Sequence, residues 1–555
     1  MEDRNAKANK PLTLWWQGLI SRLPNQFISE DRGNIAMISA FVIPGLLLIT
    51  FGGIDIHRAS TVKANLQDAL DAATLAAARS PYTADADITR VGIASLRANL
   101  APYKDIALQT SQTTFKLDST GAVVGDAKVS VDALVADIVL PIVGSGTGSQ
   151  IPVGAHSEVL RSNNRIEVAL VLDNTGSMAG AKLTNTKAAA IDLINRLEAA
   201  DSRSIEPDAI KISLVPFSQT VRISPGGSNT VPSYMSNANN HTGSDLFTNK
   251  GRFTLFGDVG TTWGGCVEAR AAPYDIRDTP PISGNQDRLF VPYFSPDSPD
   301  RDAYPSDSTW RNWDYENDYL LDGLSNNRSN VGSSSARDTQ WNNRQRRWQK
   351  YGDSTPFFSL NTSRGPNKGC DLVPLIRLTS NYQKLRDAVD DMVATGNTNV
   401  PLGTMWGWHT LSPSAPFGDG RAYGTERLTK IIIIMTDGEN VMTDYDSPND
   451  SAYNGLGYIW QNRLGITSGS DSQRRTAIDN RFDSPTAGVE DMCGNMKDED
   501  IEVYTVAVQV DSSAQTLLRR CASDADHYFP VTSASGIGEA FDRIAGAIEN
   551  LRISK

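Results

Sequence analysis

Three side chains that carry oxygen atoms follow directly after an apolar run in the segment Ile166 to Met178, IEVALVLDNTGSM. Asp173, Thr175 and Ser177 stand at alternating positions, so their oxygens can converge on one point in an extended or looping backbone. The asparagine and the glycine between them favour a turn. Carboxylate and hydroxyl oxygens suit a hard cation such as Mg²⁺, which keeps water or a partner's oxygen among its ligands. The segment therefore predicts a metal-binding loop at the end of a buried strand.

A second interpretation of Asp173 is purely structural. An alanine-rich helix is expected to begin near Ala181, and aspartate is a favoured residue for capping the amino terminus of a helix. From this segment alone, both interpretations stay open.

A second acid follows another apolar run. Lys430 to Met435 is rich in isoleucine and ends in TDGEN, which contains Asp437. Strands alternate with helices in this part of the chain, which predicts an open, mostly parallel α/β sheet. Because the carboxyl ends of parallel strands gather at one sheet edge, we expect Asp173 and Asp437 to face a common site. The predicted strands are 166–172, 210–217, 430–435, 501–510 and 527–531, and the predicted helices are 181–199, 381–394, 514–521 and 537–551.

The composition narrows the possible partners. With 555 residues, the chain exceeds what one hydrophobic core usually supports, so several domains are expected. The net charge of −12 argues against a nucleic-acid partner, which needs a basic surface. The five histidines lack a zinc-ligand spacing and the four cysteines contain no C-x-x-C, so zinc and thiol redox chemistry are not expected.

The amino-terminal part predicts a membrane anchor. Residues 35–54 carry no charge, and a helix of about 20 such residues is long enough to span a hydrocarbon core. A short apolar patch at 12–23 could lie on a membrane surface or be disordered. Residues 1–34 are placed in the cytoplasm because basic residues are commoner before the span than after it. These residues are Arg4, Lys7, Lys10, Arg22 and Arg32 before the span and Arg58 and Lys63 in the twenty positions after it.

The exported part divides by pattern into three regions. Residues 55–100 predict a pilin-like amphipathic helical region that continues the span, and residues 101–161 predict a small β-rich unit. Residues 162–555 form the α/β domain, with a loop-rich insertion at about 222–370 and a shorter one at about 441–482. The larger insertion holds too many aromatic residues for plain disorder; its tryptophans are Trp263, Trp310, Trp313, Trp341 and Trp348.

All four cysteines lie in the region predicted to be exported. An oxidising compartment would allow two disulfides, and we pair Cys266 with Cys370 and Cys493 with Cys521 because each pair brackets one insertion or one strand unit. The other two pairings, and four free buried thiols, are the alternatives.

The N-terminal residues carry a family resemblance. The segment RGNIAMISAFVIPGLLLITFGGIDIHRASTVKANLQDALDAATLAAAR resembles the TadE/TadG-like segment of Flp (tight adherence, Tad) pilus-assembly proteins. Pilin-like relatives that are cleaved by prepilin peptidase carry a glutamate five residues after the glycine, where this chain has Ile38. The resemblance therefore implies a permanent single-pass anchor in the inner membrane of a bacterial envelope, with the bulk of the chain periplasmic or extracellular.

The domain at 162–555 resembles a von Willebrand factor A domain with a metal-ion-dependent adhesion site. The family pattern D-x-S/T-x-S falls on Asp173, Thr175 and Ser177, its lone threonine on Thr398 in GNTN, and its T-D-G on Asp437. The resemblance implies that the hydroxyls bind the cation directly, that the acids act mostly through water, and that a partner's carboxylate completes the octahedron. Thr404 is a competing candidate for the lone threonine, but the following WGW places it at the start of a helix.

Together the two resemblances imply a TadG-like protein of the Tad pilus-assembly family. We expect a membrane-anchored, non-catalytic component of a pilus assembly or adhesion system, which binds an acidic residue of a protein partner through Mg²⁺, with Mn²⁺ or Ca²⁺ as alternatives. One competing hypothesis is a metal-dependent envelope hydrolase, in which Asp173 and Asp437 hold a catalytic ion. Another is a periplasmic assembly adaptor that uses the same ion.

Overall fold

The structure is a computed structural model that describes residues 34–80, 82–103, 106–118, 121–132, 150–161, 164–204, 206–237, 250–298, 317–320, 350–353, 355–356, 358–443 and 451–553. The predictions for residues 1–33 lie outside these residues. So do most of the insertion between 299 and 349 and four of its five tryptophans. The chain divides into two units, Met1–Arg161 and Ser162–Lys555, which are described separately.

The described residues of the first unit form two helices and a four-stranded antiparallel sheet. The helices are α1 (Asn34–Ala78) and α2 (Asp85–Leu100). The third strand is central: it pairs with the first two strands and with the fourth. The strands are β1 (Ala107–Leu108), β2 (Thr114–Leu117), β3 (Ala122–Asp132) and β4 (Gln150–Leu160).

One hydrophobic core joins these helices to the sheet. Leu66 and Leu70 of α1 lie in the same buried cluster as Leu96 of α2, Phe115 of β2 and Val129 of β3. The apolar stripe of α1 is therefore covered by the β-rich residues that follow it. The predicted boundary at residue 100 therefore separates helical residues from β-rich residues that share one hydrophobic core.

The amino-terminal half of α1 has a different surface. The large apolar side chains that the structure describes in this half are exposed, among them Phe41 at 81% and Ile49 at 76%. Within the part of the chain that the structure describes, no helix is long and apolar enough to cross a membrane.

The second unit is built on a nine-stranded sheet. Its order is β13-β12-β11-β5-β6-β7-β8-β9, with β10 paired to β6. The five strands β5, β6, β11, β12 and β13 are parallel. The strands are β5 (Arg165–Asp173), β6 (Ile210–Phe217), β7 (Val221–Arg222), β8 (Cys266–Glu268), β9 (Val291–Pro292), β10 (Ile376–Thr379), β11 (Leu428–Thr436), β12 (Ile501–Val508) and β13 (Tyr528–Val531).

Helices cover both faces of this sheet. Leu170 and Leu172 of β5 lie in one buried cluster and Ala169 and Val171 in the other, as the two-residue alternation of a strand requires. The second unit is therefore a doubly wound α/β fold. Its helices are α3 (Ala181–Asp201), α4 (Arg252–Asp258), α5 (Lys350–Asp353), α6 (Tyr382–Asp390), α7 (Val400–Leu411), α8 (Asp471–Phe482), α9 (Met492–Asp498), α10 (Ser512–Cys521) and α11 (Ile537–Ile553).

The large insertion extends the sheet. Its strands β8 and β9 continue the sheet in antiparallel fashion beyond β7, and Trp263 is 3% exposed. The described part of the insertion thus adds its own strands to the domain, and Trp263 lies in the same hydrophobic cluster as Ala169 and Val171 of β5. The predicted disulfide pairing is confirmed, because Cys266 is bonded to Cys370 and Cys493 to Cys521.

Helix α7 packs unusually close to the sheet. A Cβ atom at Gly407 would lie 2.4 Å from Val171 of β5, and one at Gly403 would lie 2.4 Å from Phe217 of β6. The two glycines of LGTMWGW therefore allow the helix to lie directly on the strands that lead to the predicted site. The helix begins at Val400, four residues before the predicted start at Thr404.

Candidate metal centre

The parallel register brings the two predicted acids to one edge of the sheet. β5 ends at Asp173 and β11 at Thr436, and the last registered pair between them is Met435 with Leu172. Asp437 follows immediately after β11. The two acids are 264 positions apart in the sequence, but they lie at the carboxyl ends of neighbouring parallel strands.

The carboxylate of Asp173 is fully enclosed by hydroxyl and amide donors. Its Oδ1 accepts hydrogen bonds from the backbone N–H of Thr175 at 2.8 Å and from Thr175 Oγ1 at 2.6 Å. Its Oδ2 accepts from Thr436 Oγ1 at 2.6 Å. The capping interpretation is wrong, because α3 has Gly180 at its N-cap position and no side-chain cap.

A chain of oxygen atoms connects the two acids. Thr175 Oγ1 lies 2.9 Å from Ser177 Oγ, and Ser177 Oγ donates to Asp437 Oδ1 at 2.7 Å. Each hydroxyl has one hydrogen. Either hydroxyl can donate in the contact between them, so Asp173, Thr175, Ser177 and Asp437 form one continuous run of hydrogen-bonded oxygen atoms.

Thr398 belongs to the same cluster. A Cβ atom built on Gly438 would lie 3.4 Å from Thr398 Oγ1 and 3.8 Å from Ser177 Oγ, so both hydroxyls face the backbone after Asp437. The backbone N–H of Val441 donates to the carbonyl of Thr398 at 2.9 Å. Asn440 Oδ1 accepts from the N–H of Val400 at 2.8 Å. These bonds fix the loop after β11 against the start of α7.

Further bonds hold the loop after β5. The N–H of Gly176 donates to the carbonyl of Gly396 at 3.0 Å, and the N–H of Thr395 donates to the carbonyl of Asn174 at 2.8 Å. The side chain of Asn174 donates to the carbonyl of Val393 at 2.5 Å. The three loops that carry the predicted ligands are therefore tied to one another through their backbones.

The electrostatics of the cluster favour a positive charge. Burial raises the pKa of Asp173 to about 6, although the hydrogen bonds from Thr175 and Thr436 counteract part of this rise. The nearby charge of Asp437 raises the pKa further. Asp173 is 0% and Asp437 6% exposed, whereas Ser177 is exposed. Two acids thus lie close together below an opening to solvent, and the ammonium group of Lys182 beside Asp437 offsets only one of the two negative charges.

The residues present fit a hard divalent cation. The five predicted ligands offer only carboxylate and hydroxyl oxygens, and the contact between Thr175 and Ser177 leaves two lone-pair-bearing oxygens side by side. No group of three or more His, Cys, Asp or Glu side chains placed to hold a metal occurs in the described residues. The candidate centre is of another kind, because three of its five side chains are hydroxyls.

Two residues of the cluster were missed by reasoning from sequence. Thr436 donates to Asp173, and Lys182 Nζ lies 2.5 Å from Asp437 Oδ2. The predicted pairing of β5 with β11 could have indicated that Thr436 contacts Asp173, since the pairing places the ends of the two strands side by side. Thr404 lies inside α7, and its Oγ1 is buried without a hydrogen-bond partner among the described residues.

Several solved structures show low similarity to this chain. The vWF domain of the type V pili tip protein Mfa5 from Porphyromonas gingivalis is 11% identical, with a TM-score of 0.30, and the alignment covers 72% of this chain and 98% of that one. The pilus adhesin RrgA from Streptococcus pneumoniae is 10% identical, with a TM-score of 0.32 and coverages of 78% and 49%. Proximal thread matrix protein 1 from the mussel byssus, with a zinc-occupied MIDAS motif, is 10% identical, with a TM-score of 0.25 and coverages of 70% and 47%.

These scores are too low to carry an argument, so the fold assignment rests on the strand order described above. No curated protein has a significant match to the chain. The family model for Flp pilus-assembly TadE/G-like proteins matches residues 33–80. This segment contains α1, whose stripe of small and apolar residues packs on the sheet of the first unit. The chain thus carries a TadE/G-like Flp pilus-assembly domain at residues 33–80.

Proposed function

We propose that this chain is a non-catalytic component of a Tad-type pilus assembly or adhesion system, and that its second unit is a von Willebrand factor A domain with a metal-ion-dependent adhesion site. In this proposal, the domain binds an acidic residue of a protein partner through a divalent cation, most simply Mg²⁺. The observation that carries the proposal is the convergence of Asp173, Thr175, Ser177 and Asp437 in one hydrogen-bonded cluster at the sheet edge. The TadE/G-like domain at 33–80 supplies the pilus-assembly context.

Each ligand residue has a distinct part in this proposal. Asp173 and Asp437 supply negative charge from below, and the hydroxyls of Thr175, Ser177 and Thr398 supply neutral oxygens. A bound cation would supply a Lewis-acidic position for the partner's carboxylate. The solvent exposure of Ser177 leaves a path by which such a carboxylate can approach.

The proposal also places the protein in a bacterial cell envelope, with residues 35–54 as its anchor. The structure offers no spanning helix among the described residues. The anchor is inferred from the uncharged sequence and from the exposed apolar side chains of α1. These side chains include Ile38, Phe41, Val42, Ile43, Leu46 and Ile49.

A pull-down from envelope extracts tests the function directly. The full-length protein is used as bait in Mg²⁺ and in excess chelator, beside the Asp173→Ala variant. We expect one set of envelope proteins to be retained by the wild type in Mg²⁺ and lost in chelator and in the variant. Equal retention under all conditions would contradict a cation-dependent binding function, and hydrolysis of an envelope substrate that depends on Asp173 would contradict a non-catalytic one.

A further inference from the structure

The candidate centre contains a positive charge of its own. Lys182 Nζ lies 2.5 Å from Asp437 Oδ2, and the Asp437 side chain is 0% exposed while that of Lys182 is 24% exposed. The other oxygen of Asp437 accepts the hydrogen bond from Ser177. Both oxygens of one predicted ligand are thus already engaged, one of them by an ammonium group.

The place of Lys182 in its helix makes this contact notable. Lys182 is the second residue of α3, where the helix dipole disfavours a cation. Gly180 at the N-cap position provides no side-chain cap that would offset this cost. The charge-assisted bond to a buried carboxylate compensates for the unfavourable position.

We propose that Lys182 is a resident cation that competes with the divalent metal for Asp437 and thereby lowers the metal affinity of the site. The inference rests on the proposed function, because it presupposes that a cation binds here. Without metal, the ammonium group neutralises one of the two acids and stabilises the cluster. A bound metal supplies positive charge to Asp437 itself, so the contact with Lys182 is no longer needed. Because the metal must displace or weaken this favourable contact, the metal affinity of the site is lower. Occupancy of the site then depends on the divalent cation concentration around the protein.

A nearby lysine provides a matched control. Lys187 lies on the same helix, but its Nζ donates to the backbone carbonyl of Asp390 at 2.8 Å and not to a predicted ligand. Replacing Lys187 removes the same formal charge from α3 without removing a partner of Asp437. A difference in Mg²⁺ affinity between the Lys182 and Lys187 variants therefore results from the contact with Asp437 and not from the net charge of the domain.

The test is calorimetric titration of Mg²⁺ into the full-length, chelator-stripped protein. We expect Lys182→Met to bind Mg²⁺ about tenfold more tightly than the wild type, on the scale of one charge-assisted hydrogen bond. Lys187→Met and the charge-conserving Lys182→Arg should bind like the wild type. Unchanged or weaker binding by Lys182→Met, with normal binding by the wild type, would overturn this inference and leave the proposed function standing.

Thermal unfolding separates this function from a merely structural role. Lys182→Met should unfold at a lower temperature than the wild type in chelator, and saturating Mg²⁺ should shrink or reverse that difference because the tighter site gains more from ligand binding. A deficit of equal size in chelator and in Mg²⁺ would mean that Lys182 only supports the fold. If the wild type itself binds no divalent cation, the proposed function fails and this inference fails with it.

Discussion

Thr175 Oγ1 and Ser177 Oγ lie 2.9 Å apart, and each also lies within hydrogen-bond distance of a different aspartate. Four side chains that carry oxygen atoms are thus brought together at one sheet edge, where a hard cation finds the carboxylate and hydroxyl ligands that it prefers. This relationship links the two acids, Asp173 and Asp437, and is the physical basis of the cation site that we propose.

Loss of one hydroxyl should remove the cation while sparing the fold. Thr398→Val replaces a hydroxyl that faces Gly438 by a methyl group of similar size, so the chain keeps its packing but loses a neutral oxygen ligand. We expect Mg²⁺ affinity to fall by at least about tenfold, the scale of losing one good polar contact. Calorimetry measures the affinity and thermal unfolding checks the fold.

Thr404→Val is the matched control for that change. Its hydroxyl is buried in α7 and has no hydrogen-bond partner in the part of the chain that the structure describes, so removing it should leave Mg²⁺ affinity unchanged and the stability equal or slightly higher. If Thr404→Val abolished binding and Thr398→Val did not, the assignment of the lone threonine would have to be exchanged.

A methyl group at residue 438 should obstruct the site. In Gly438→Ala the new Cβ would contact Thr398 Oγ1 at 3.4 Å and Ser177 Oγ at 3.8 Å, which fills the space that the two hydroxyls face. These are ordinary contact distances, so we expect a small change in stability and a clear loss of Mg²⁺ affinity. Gly538→Ala meets no atom within 4 Å and serves as the control. Equal affinity in the two variants would argue against a cation beside Gly438.

The two disulfides should differ in their effect. Cys266 and Cys370 close a loop of 104 residues, whereas Cys493 and Cys521 are 28 residues apart. The chain-entropy model therefore predicts that replacing the first pair by serine costs about 1 kcal/mol more than replacing the second. Chemical denaturation of the two double variants measures this difference.

The first disulfide should also influence the candidate metal centre. Gly369, next to Cys370, accepts a hydrogen bond from Thr220 at 3.1 Å, and Asp371 accepts one from Thr395 at 2.6 Å. The backbone N–H of Thr395 also donates a hydrogen bond to Asn174 in the loop after β5, so the residues around Cys370 help to hold this loop. Removing the Cys266–Cys370 disulfide should therefore weaken Mg²⁺ binding more than removing the Cys493–Cys521 disulfide. The opposite order would mean that the insertion does not support the site.

Introducing charged residues into the exposed apolar face of α1 should release the protein from membranes. Phe41 and Ile49 are 81% and 76% exposed, and an aspartate at each position would be costly in a hydrocarbon environment. We expect the Phe41→Asp, Ile49→Asp double variant to appear in the soluble fraction of a carbonate-washed envelope preparation that retains the wild type. If both proteins stay in the pellet, residues 35–54 are not the anchor.

Strand periodicity predicted much of the second unit. The short length and β-branched residues of the run IEVALVL and of the isoleucines before Thr436 favoured buried strands, and the parallel edge rule then brought Asp173 and Asp437 together. Helix α7 was harder to bound, since its twelve residues are all buried and show no polar face. The strands β8 and β9 span only three and two residues, which is too short for a recognisable alternation.

The polar details of the site depended on tertiary contacts. Thr175 and Ser177 were evident because they alternate with Asp173 in one short segment. Lys182 could not be assigned from sequence, because a lysine in the first turn of a helix usually faces solvent. Only the packing of α3 beside the loop after β11 shows that this side chain reaches Asp437.

The most direct test of the central claim is a calorimetric titration of Mg²⁺ into the full-length protein and into Asp173→Asn, which keeps the size of the side chain and removes its charge. Asp173 is a buried acid with a pKa raised to about 6, so its charge is the feature that a cation would stabilise most. We predict saturable binding of one Mg²⁺ by the wild type and a loss of affinity of about 100-fold or more in the variant. Equal Mg²⁺ binding by the two proteins, or none by the wild type, would contradict the existence of this site.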